Sequence, residues 1–506
     1  MEKDYYWVDK AAEKIIKEKG NKKEYVCASG ITPSGTVHIG NFREIITTDL
    51  IVKGLENKGK KVRFIYSWDD YDRFRKVPKN VNKKWEKYLG MPLSDIPDPF
   101  GCCKSYAEHF EKELEDSIKD LGFKINFIYQ NKMYKKCVYA KEIKIALDNK
   151  NEIIKILNKY RNEPLEKDWL PLVVYCEKCG KESSTKILDY DNYRLNYECG
   201  CGYSNEIDFR KKGVIKLTWR VDWPMRWNYE KVDFEPGGKD HSTVGGSFDT
   251  GKQIVKKVWK RDAPTYLMYD FVRVKGGGGK ISSSFGDVVT IKDVSEIYEP
   301  NVLRWLFVGT RPGSEFAISF DLDVIKLYED FDRCERIYFD KEKVNNEKDL
   351  INQKRIYELS CVRIPKKYVK KDSFRHLSNL VQINEGDLSK IKNDRAKYVW
   401  NWIQRYAPDE FKFSVHKVIS KEIKELLNEK QKKSLKMLVK SLEKKSFNEQ
   451  SLFDEFYKIC KAVDINNIDF FEGAYLGLIG KKRGPKLAGF ILTLGKRRVI
   501  ELLKNV

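Results

Sequence analysis

Histidine is scarce in this chain, five among 506 residues, and no stretch approaches the roughly 20 apolar residues that a helix needs to span a bilayer. Met1–Lys10 is charged and has no apolar centre, which speaks against a secretory signal and for a cytoplasmic protein without a membrane partner. No unit of 20–50 residues recurs, so solenoids and propellers are excluded. Of eleven cysteines, seven are scattered or adjacent without framework spacing. That excludes a disulfide-stapled secreted scaffold and fits a reducing compartment with at most a local metal site. Carboxylates are in deficit, 75 Asp+Glu against 97 Lys+Arg, giving a net charge of +22.

What is present is a chain of 59.5 kDa, long enough for roughly three domains. Hydrophobic residues at 41% and aromatics at 13% exclude wholesale disorder. The positive surplus favours a polyanionic partner, nucleic acid first, although lysine scattered over solvated faces would read the same way. It has no single source. Residues 321–506 hold 40 Lys+Arg against 28 Asp+Glu, a net +12, and residues 1–320 carry the other +10.

Residues 24–30 read as a strand ended by glycine, 32–35 as a turn, 38–57 as an amphipathic helix and 62–66 as a second strand, together a βαβ unit. Helical periodicity dominates 100–165, clearest over 107–121 and 138–159. Strand patterns return at 213–219 and 266–274, separated by a helix at about 246–259. Beyond Asp321 the chain is helix-rich and strand-poor, including helices over 422–442 and 452–463. Alternation of β and α before residue 320 predicts a mostly parallel α/β sheet followed by a separate helical domain.

Three loops carry chemistry. Thr32-Pro33-Ser34-Gly35-Thr36-Val37-His38-Ile39-Gly40-Asn41 lies between a strand and a helix, where backbone N–H groups and the helix dipole favour an anion. An ordinary helix cap would look similar. Gly276–Gly279 followed by Lys280-Ile281-Ser282-Ser283-Ser284 suits a loop that follows charge on a transferring phosphate, or a plain flexible connection. Trp219-Arg220-Val221-Asp222-Trp223 and Phe234–His241 crowd charge and tryptophan round a Gly-Gly turn. Two of the five histidines, His38 and His241, fall in these loops.

Together these loops resemble class I aminoacyl-tRNA synthetases. The segment around His38-Ile39-Gly40-Asn41 resembles the His-Ile-Gly-His signature, and Lys280–Ser284 resembles the Lys-Met-Ser-Lys-Ser loop about 240 residues later. Gly30–Gly35, Asp69–Pro78, Phe234–His241, Gly484–Leu487 and Leu494-Gly495 are similar to the class I lysyl-tRNA synthetases of archaea and some bacteria. The resemblance implies a Rossmann-type parallel-sheet catalytic domain with an inserted zinc-binding connective module, followed by an all-α C-terminal domain. Its implied limits are 1–95 and 213–290 for the catalytic halves, 96–212 for the acceptor-binding insertion, 291–345 for stem contact and 346–506 for the anticodon.

The implied reaction is ATP-dependent attachment of L-lysine to tRNA(Lys) through a lysyl-adenylate, with Mg²⁺ bridging phosphate oxygens, in a cytoplasmic monomer. His38 and the backbone of Gly35–Gly40 fall to the triphosphate; Thr32, Ser34, Asn41 and Ser283 are also implied for ATP, with Gly238 and Asp240 near the ribose and amino acid. Lys280, Ser282 and Ser284 would grip pyrophosphate. Asn41 replaces the signature's second histidine, and Ser283 a common second lysine, which leaves more of the grip to Lys280. Ser29, Trp219, Asp240, His241 and Tyr269 are implied for the lysine pocket, though Trp219 and Tyr269 also read as core aromatics. Asp69, Asp70 and Asp72 either line the cleft or cap a helix.

Cys176-x₂-Cys179, nineteen further residues and Cys199-x-Cys201 suit a tetrahedral structural zinc. Cys102, Cys103 and His109 read as a looser structural group. In the helical region, Trp400, Trp402, Tyr406 and Phe411 are candidates to stack splayed bases, and Lys481–Arg483 and Lys496–Arg498 to meet RNA phosphates. The competing functions are a glutamyl-tRNA synthetase or other class I relative, and an RNA-binding protein descended from a synthetase with a dead site.

Overall fold

The computed structural model describes residues 6–79, 81–275 and 289–506. The chain opens with α1 (Trp7–Lys19), β1 (Glu24–Ile31), α2 (Ile39–Asn57), β2 (Lys61–Trp68), α3 (Tyr106–Ile118) and β3 (Ile125–Tyr129). There follow α4 (Gln130–Lys135), α5 (Ala140–Asp148), α6 (Lys150–Asn158), β4 (Leu172–Val174), β5 (Thr185–Asp191), β6 (Arg194–Cys199), β7 (Tyr203–Asp208) and β8 (Ile215–Leu217). Then come α7 (Trp219–Tyr229), β9 (Phe234–Gly238), α8 (Ser247–Val258), β10 (Thr265–Tyr269), β11 (Val272–Val274) and, after the second described break, β12 (Phe316–Ile318).

The central sheet has the order β10-β9-β1-β2-β3, with every neighbouring pair parallel. Parallel strands must be joined by crossovers that cover both faces, so their apolar residues run almost without a break. Tyr25 and Cys27 of β1 and Phe64, Tyr66 and Trp68 of β2 are accordingly buried. Strand order reverses between β1 and β9, the topological switch point where such sheets leave a crevice beyond their carboxyl ends. The expected parallel α/β core is therefore present.

The chain from α4 to α7 forms a body of its own. Helices α5 and α6 pack with Leu172, Val174, Leu195, Tyr197 and Ile207 around a second core, and β5-β6-β7 form an antiparallel sheet beside it. Beyond β12 no strand occurs among the described residues, and Leu435, Leu438, Phe456, Phe470, Phe490 and Val499 fill a third core between helices.

Several elements depart from the sequence expectation. Strand β3 lies inside the stretch read as mainly helical; five residues at a sheet edge give too little alternation to stand out against flanking helices. The helix expected over 138–159 is two helices, broken where Asn149 leaves helical geometry (φ −108°, ψ 17°). Likewise 422–442 divides into Lys421–Leu426 and Glu429–Lys444, the second started by an Asn428–Gln431 capping box. The strand expected over 213–219 ends at Leu217, and Trp219 begins α7; Pro224 within that helix disguises it. The strand at 266–274 is interrupted at Asp270 and Phe271, which separate β10 from β11. Trp402 cannot stack on a base, because it is fully buried with its indole N–H donated to the Phe320 carbonyl (2.9 Å). Phe411 packs on the edge of Trp402, and Trp400 and Tyr406 join the same core.

One buried ion pair ties these layers together. Arg304, wholly buried in helix Pro300–Val308, donates to Asp49 of α2 (2.5 Å) and to the carbonyls of Leu121 (3.1 Å) and Leu359 (3.2 Å). Removing one partner of a buried pair strands the other charge, at a cost of about 3–5 kcal/mol. Asp49→Ala is therefore expected to lower the denaturant midpoint of the N-terminal half clearly, and an unchanged midpoint would show that Arg304 does not depend on it.

Candidate active site and metal centres

Helix α2 begins at the switch point, and its first two turns supply the site. His38 is its N-cap, and the ring Nδ1 accepts the N–H of Gly40 (3.0 Å). That bond puts the ring proton on Nε2, facing outward, and the surrounding protein lowers the ring's pKa by desolvation. His38 is thus a neutral donor at pH 7. A side chain at Gly40 would meet the His38 ring at 2.8 Å, whereas the space beside Gly35 is open. Ile39 N–H donates to Val289 O (2.8 Å), and His38 pairs with Thr290, so the chain re-emerging after the second described break lies against this turn. Lys280, Ser282, Ser283 and Ser284 lie outside the described residues.

Two turns into α2 lies a residue that was not among the sequence candidates. The Glu44 carboxylate accepts the N–H of Gly30 in β1 (3.0 Å) and the hydroxyl of Tyr269 in β10 (2.7 Å). Burial pushes its pKa up to about 7 against those two hydrogen bonds. Gly30 has no alternative: a Cβ there would strike Ser67 O at 2.5 Å. Beside it Ser29 is buried, and among the described residues its hydroxyl has no hydrogen-bond partner.

The opposite wall is aromatic. Trp219 stacks on Trp223 (centroids 5.4 Å, 19°), and His241 lies edgewise to both at 5.8 and 6.0 Å. His241 Nδ1 is held by the Ser247 hydroxyl (2.9 Å). Glu235 of β9 accepts the indole N–H groups of Trp223 and Trp227, and burial raises its pKa to about 7. Gly238 ends β9 where an added Cβ would lie 3.6 Å from the Tyr269 ring, and Asp240 is exposed in the turn beyond. Gly30, Glu44 and Tyr269 are thus joined by hydrogen bonds, Ser29 and Gly238 are their neighbours along β1 and β9, and Trp219, Trp223 and His241 form a separate connected aromatic group.

Thr32, Ser34 and Asn41 sit in the turn between β1 and α2. The Thr32 hydroxyl is committed to Asp72 (3.1 Å), Ser34 bends back to Thr32 O, and Asn41 N–H donates to His38 O. In the acidic run after β2, Asp70 caps the start of α4 while Asp69 and Asp72 form ion pairs. Asp69 pairs with Arg226 (2.5 and 3.1 Å), Asp72 with Lys216 (2.8 Å), and Asp70 accepts the N–H of Asn131 (2.7 Å).

Glu44 was hidden in the sequence because a charged residue in an amphipathic helix is ordinarily assigned to the wet face. The available signal was position: Arg43-Glu44 falls among Phe42, Ile45 and Ile46, all of them buried.

The four expected zinc donors converge. Cys176 and Cys201 sulfurs are 3.7 Å apart, as are Cys179 and Cys199, and all four lie within 4.8 Å of one another. A tetrahedral zinc with bonds near 2.3 Å sets its sulfurs about 3.7 Å apart, so the donor set fits. Positive φ at Gly180 and Gly202 shapes the two knuckles. Cys102, Cys103 and His109 are tighter than expected, since Asp98 closes the group to a second four-donor set within 4.8 Å. Asp98 is itself oriented by backbone N–H groups of Phe100, Cys102 and Cys103 (2.8–2.9 Å).

Comparison with known proteins gives a consistent result. The family described as "tRNA synthetases class I (K)" matches residues 5–363, and the family described as "Anticodon binding domain" matches 393–506. The chain is 48% identical to a lysine–tRNA ligase of Borrelia garinii, 44% to one of Treponema pallidum and 40% to one of Pyrococcus horikoshii. Each alignment covers 99% of both chains.

Metal analysis of the native protein should find zinc at the four-cysteine set. Cys176→Ser is expected to remove it and to loosen the 170–208 region. Protein without zinc would contradict that expectation.

Proposed function

The chain belongs to the class I tRNA synthetase family for lysine, and from that premise we propose that it activates L-lysine with ATP and esterifies it to tRNA(Lys). In the first step a lysine carboxylate oxygen attacks the α-phosphorus, forming the mixed anhydride of lysyl-adenylate and expelling pyrophosphate. In the second, a hydroxyl of the tRNA's terminal ribose attacks the acyl carbon and expels AMP.

The observation that carries the reading is the Glu44 carboxylate, buried at the switch point and held by Gly30 N–H and the Tyr269 hydroxyl. A cationic side chain needs a carboxylate at its tip and apolar surface along its stem. Glu44 would take the ε-ammonium, with Tyr269 and Gly30 N–H holding the carboxylate in place. Trp219 and Trp223 would flank the methylenes, and Ser29 Oγ and His241 would serve the polar end of the substrate. Lysine's arrival would convert a half-protonated carboxyl into a carboxylate, since an opposite charge nearby favours the ionised form.

His38 Nε2–H and the first turn of α2 would face the triphosphate, donating without adding a full charge. Gly35, open beside its Cα, would let the nucleotide approach the backbone. Lys280, Ser282 and Ser284 would meet the departing pyrophosphate, and Mg²⁺ carried with ATP would neutralise its oxygens. Asp240 and Gly238 would flank the ribose. The zinc set at Cys176, Cys179, Cys199 and Cys201 would fix the fold of the insertion and take no part in either step.

Two measurements test this. ATP–pyrophosphate exchange, run with tRNA present across the amino acids, is expected to require lysine. Dependence on glutamate would favour the glutamyl relative, and RNA binding without aminoacylation the inactive one. Glu44→Gln is expected to raise the KM for lysine roughly 10- to 150-fold, the loss of a hydrogen bond to a charged group at about 1.5–3 kcal/mol. Lys280→Ala should instead depress adenylate formation while leaving tRNA affinity near wild type; comparable loss of both would contradict its role.

A further inference from the structure

Resting on the lysine–tRNA ligase reading, we propose that Asp72 is a positioning residue for ATP, acting through Thr32. Its carboxylate holds the Thr32 hydroxyl and thereby fixes the turn between β1 and α2. In the proposed reaction that turn meets the triphosphate with the backbone near Gly35 and with His38, so Asp72 itself touches no substrate. Thr32 Oγ1 donates to Asp72 Oδ2 (3.1 Å). On the other side of Pro33, the Tyr106 hydroxyl of α3 donates to Ser34 O (2.8 Å), and Ser34 N–H donates to Thr32 O (2.8 Å). The start of the turn is thus tied to two different elements. Beyond these ties comes Gly35, where an added Cβ would meet nothing within 4 Å.

Asp72 can hold Thr32 because it is itself held. Its second oxygen, Oδ1, takes the Lys216 ammonium (2.8 Å). Leu93 N–H donates to Asp72 O (2.9 Å), Asp72 N–H to Asp69 O (3.1 Å) and Asp69 N–H to Ile31 O (2.9 Å), which fixes the backbone after β2 against the end of β1. The Tyr71 hydroxyl donates to Gly213 O (2.8 Å), and Gly213 lies so close to α4 that an added Cβ would strike the Tyr134 carbonyl. That contact sets the chain leading into β8, three residues before Lys216. Burial by itself would favour the neutral acid at Asp72, but Lys216 and Arg226 outweigh it and hold the carboxyl below its ordinary range. The bond to Thr32 is therefore made by a carboxylate, the stronger kind of acceptor.

The charges of the cluster show what Asp72 is for. Lys216 also reaches Asp222 (3.3 Å), and Arg226 spans Asp222 (3.5 Å) and Asp69 (2.5 Å). Three carboxylates, Asp69, Asp72 and Asp222, thus share two cations. Without Asp72 the count would be two against two, with Lys216 still beside Asp222. A buried carboxylate beyond what balances the cations weakens the fold, so packing alone does not account for it. Its further contact is the Thr32 hydroxyl, at the mouth of the nucleotide turn.

The test is a double-mutant cycle on the full chain, read by ATP–pyrophosphate exchange with tRNA present and by equilibrium binding of ATP. Thr32→Val and Asp72→Ala are each expected to raise the KM for ATP roughly 10- to 150-fold, the range of one hydrogen bond to a charged group, with the KM for lysine near wild type. Thr32→Ser, which keeps the hydroxyl, should keep most of the wild-type ATP affinity. The double variant should bind ATP no worse than the weaker single, because both substitutions remove the same contact. Additive losses in the cycle would overturn the proposal, as would an unchanged ATP affinity in Thr32→Val. So would a lysine KM that rises with the ATP KM in Asp72→Ala, the mark of a merely structural role. Failure of Asp72→Ala to fold would overturn it too, since the cluster would then need that charge. A wild type without lysine-dependent exchange would overturn the underlying reading, and the cycle in ATP binding would still decide the role of Asp72.

Discussion

The rest of the site depends on one charged pair inside an otherwise apolar turn of α2. Arg43 and Glu44 follow one another and point to opposite tasks. Arg43, buried, donates to the carbonyls of Asp270 and Phe271 (2.9 and 3.1 Å) and of Arg311 and Ser314 (2.9 and 2.7 Å). It therefore bolts the helix to the two stretches that lead into β11 and β12. Glu44 reaches the other way, to β1 and β10. His38 caps the same helix six residues earlier, about 9 Å along its axis. A rigid rod thus fixes the separation between the phosphate end and the ammonium end of the proposed substrates, and catalysis that relies on positioning needs that separation held.

Ionic cross-links set the insertion against the sheet in the same way. Asp69 and Asp72 leave β2 and meet Arg226 and Lys216, which lie on the far side of the inserted chain. Asp222 of α7 sits between the two cations, and Tyr134 of the insertion donates to it. Buried ion pairs contribute little net stability relative to apolar packing, but losing one partner is costly. Their effect here is register, since they join the end of β2 to both ends of the inserted chain.

Much of this was legible in the sequence because strand–turn–helix punctuation and cysteine spacing are local signals. The βαβ unit from Glu24 to Trp68 follows from an apolar run, a Pro-Ser-Gly turn and 3.6-residue periodicity. The Cys176–Cys201 set follows from the two knuckles. What stayed hidden depends on contacts between distant segments. Glu44 becomes a site residue only when β10 brings Tyr269 to it from 225 residues away. Asp98 joins Cys102 and His109 through a loop that backbone N–H groups fold around its carboxylate. Trp402 looks like a base-stacking residue until the fold buries it under Phe374 and Phe411.

The central claim is that Glu44 exchanges a proton for the lysine ammonium. Its carboxyl, raised by burial to about 7, is mostly protonated at pH 6 and mostly ionised at pH 8 before ligand arrives. Binding a cation stabilises the ionised form, so lysine should expel the proton below pH 7 and expel little above pH 8. Titration calorimetry of lysine binding in two buffers of different ionisation enthalpy reads that proton directly. The account predicts release of a large fraction of one proton per lysine at pH 6, falling toward zero by pH 8.5, and none in Glu44→Gln. Equal heats in both buffers at pH 6 for the wild type, or an undiminished release in Glu44→Gln, would contradict it.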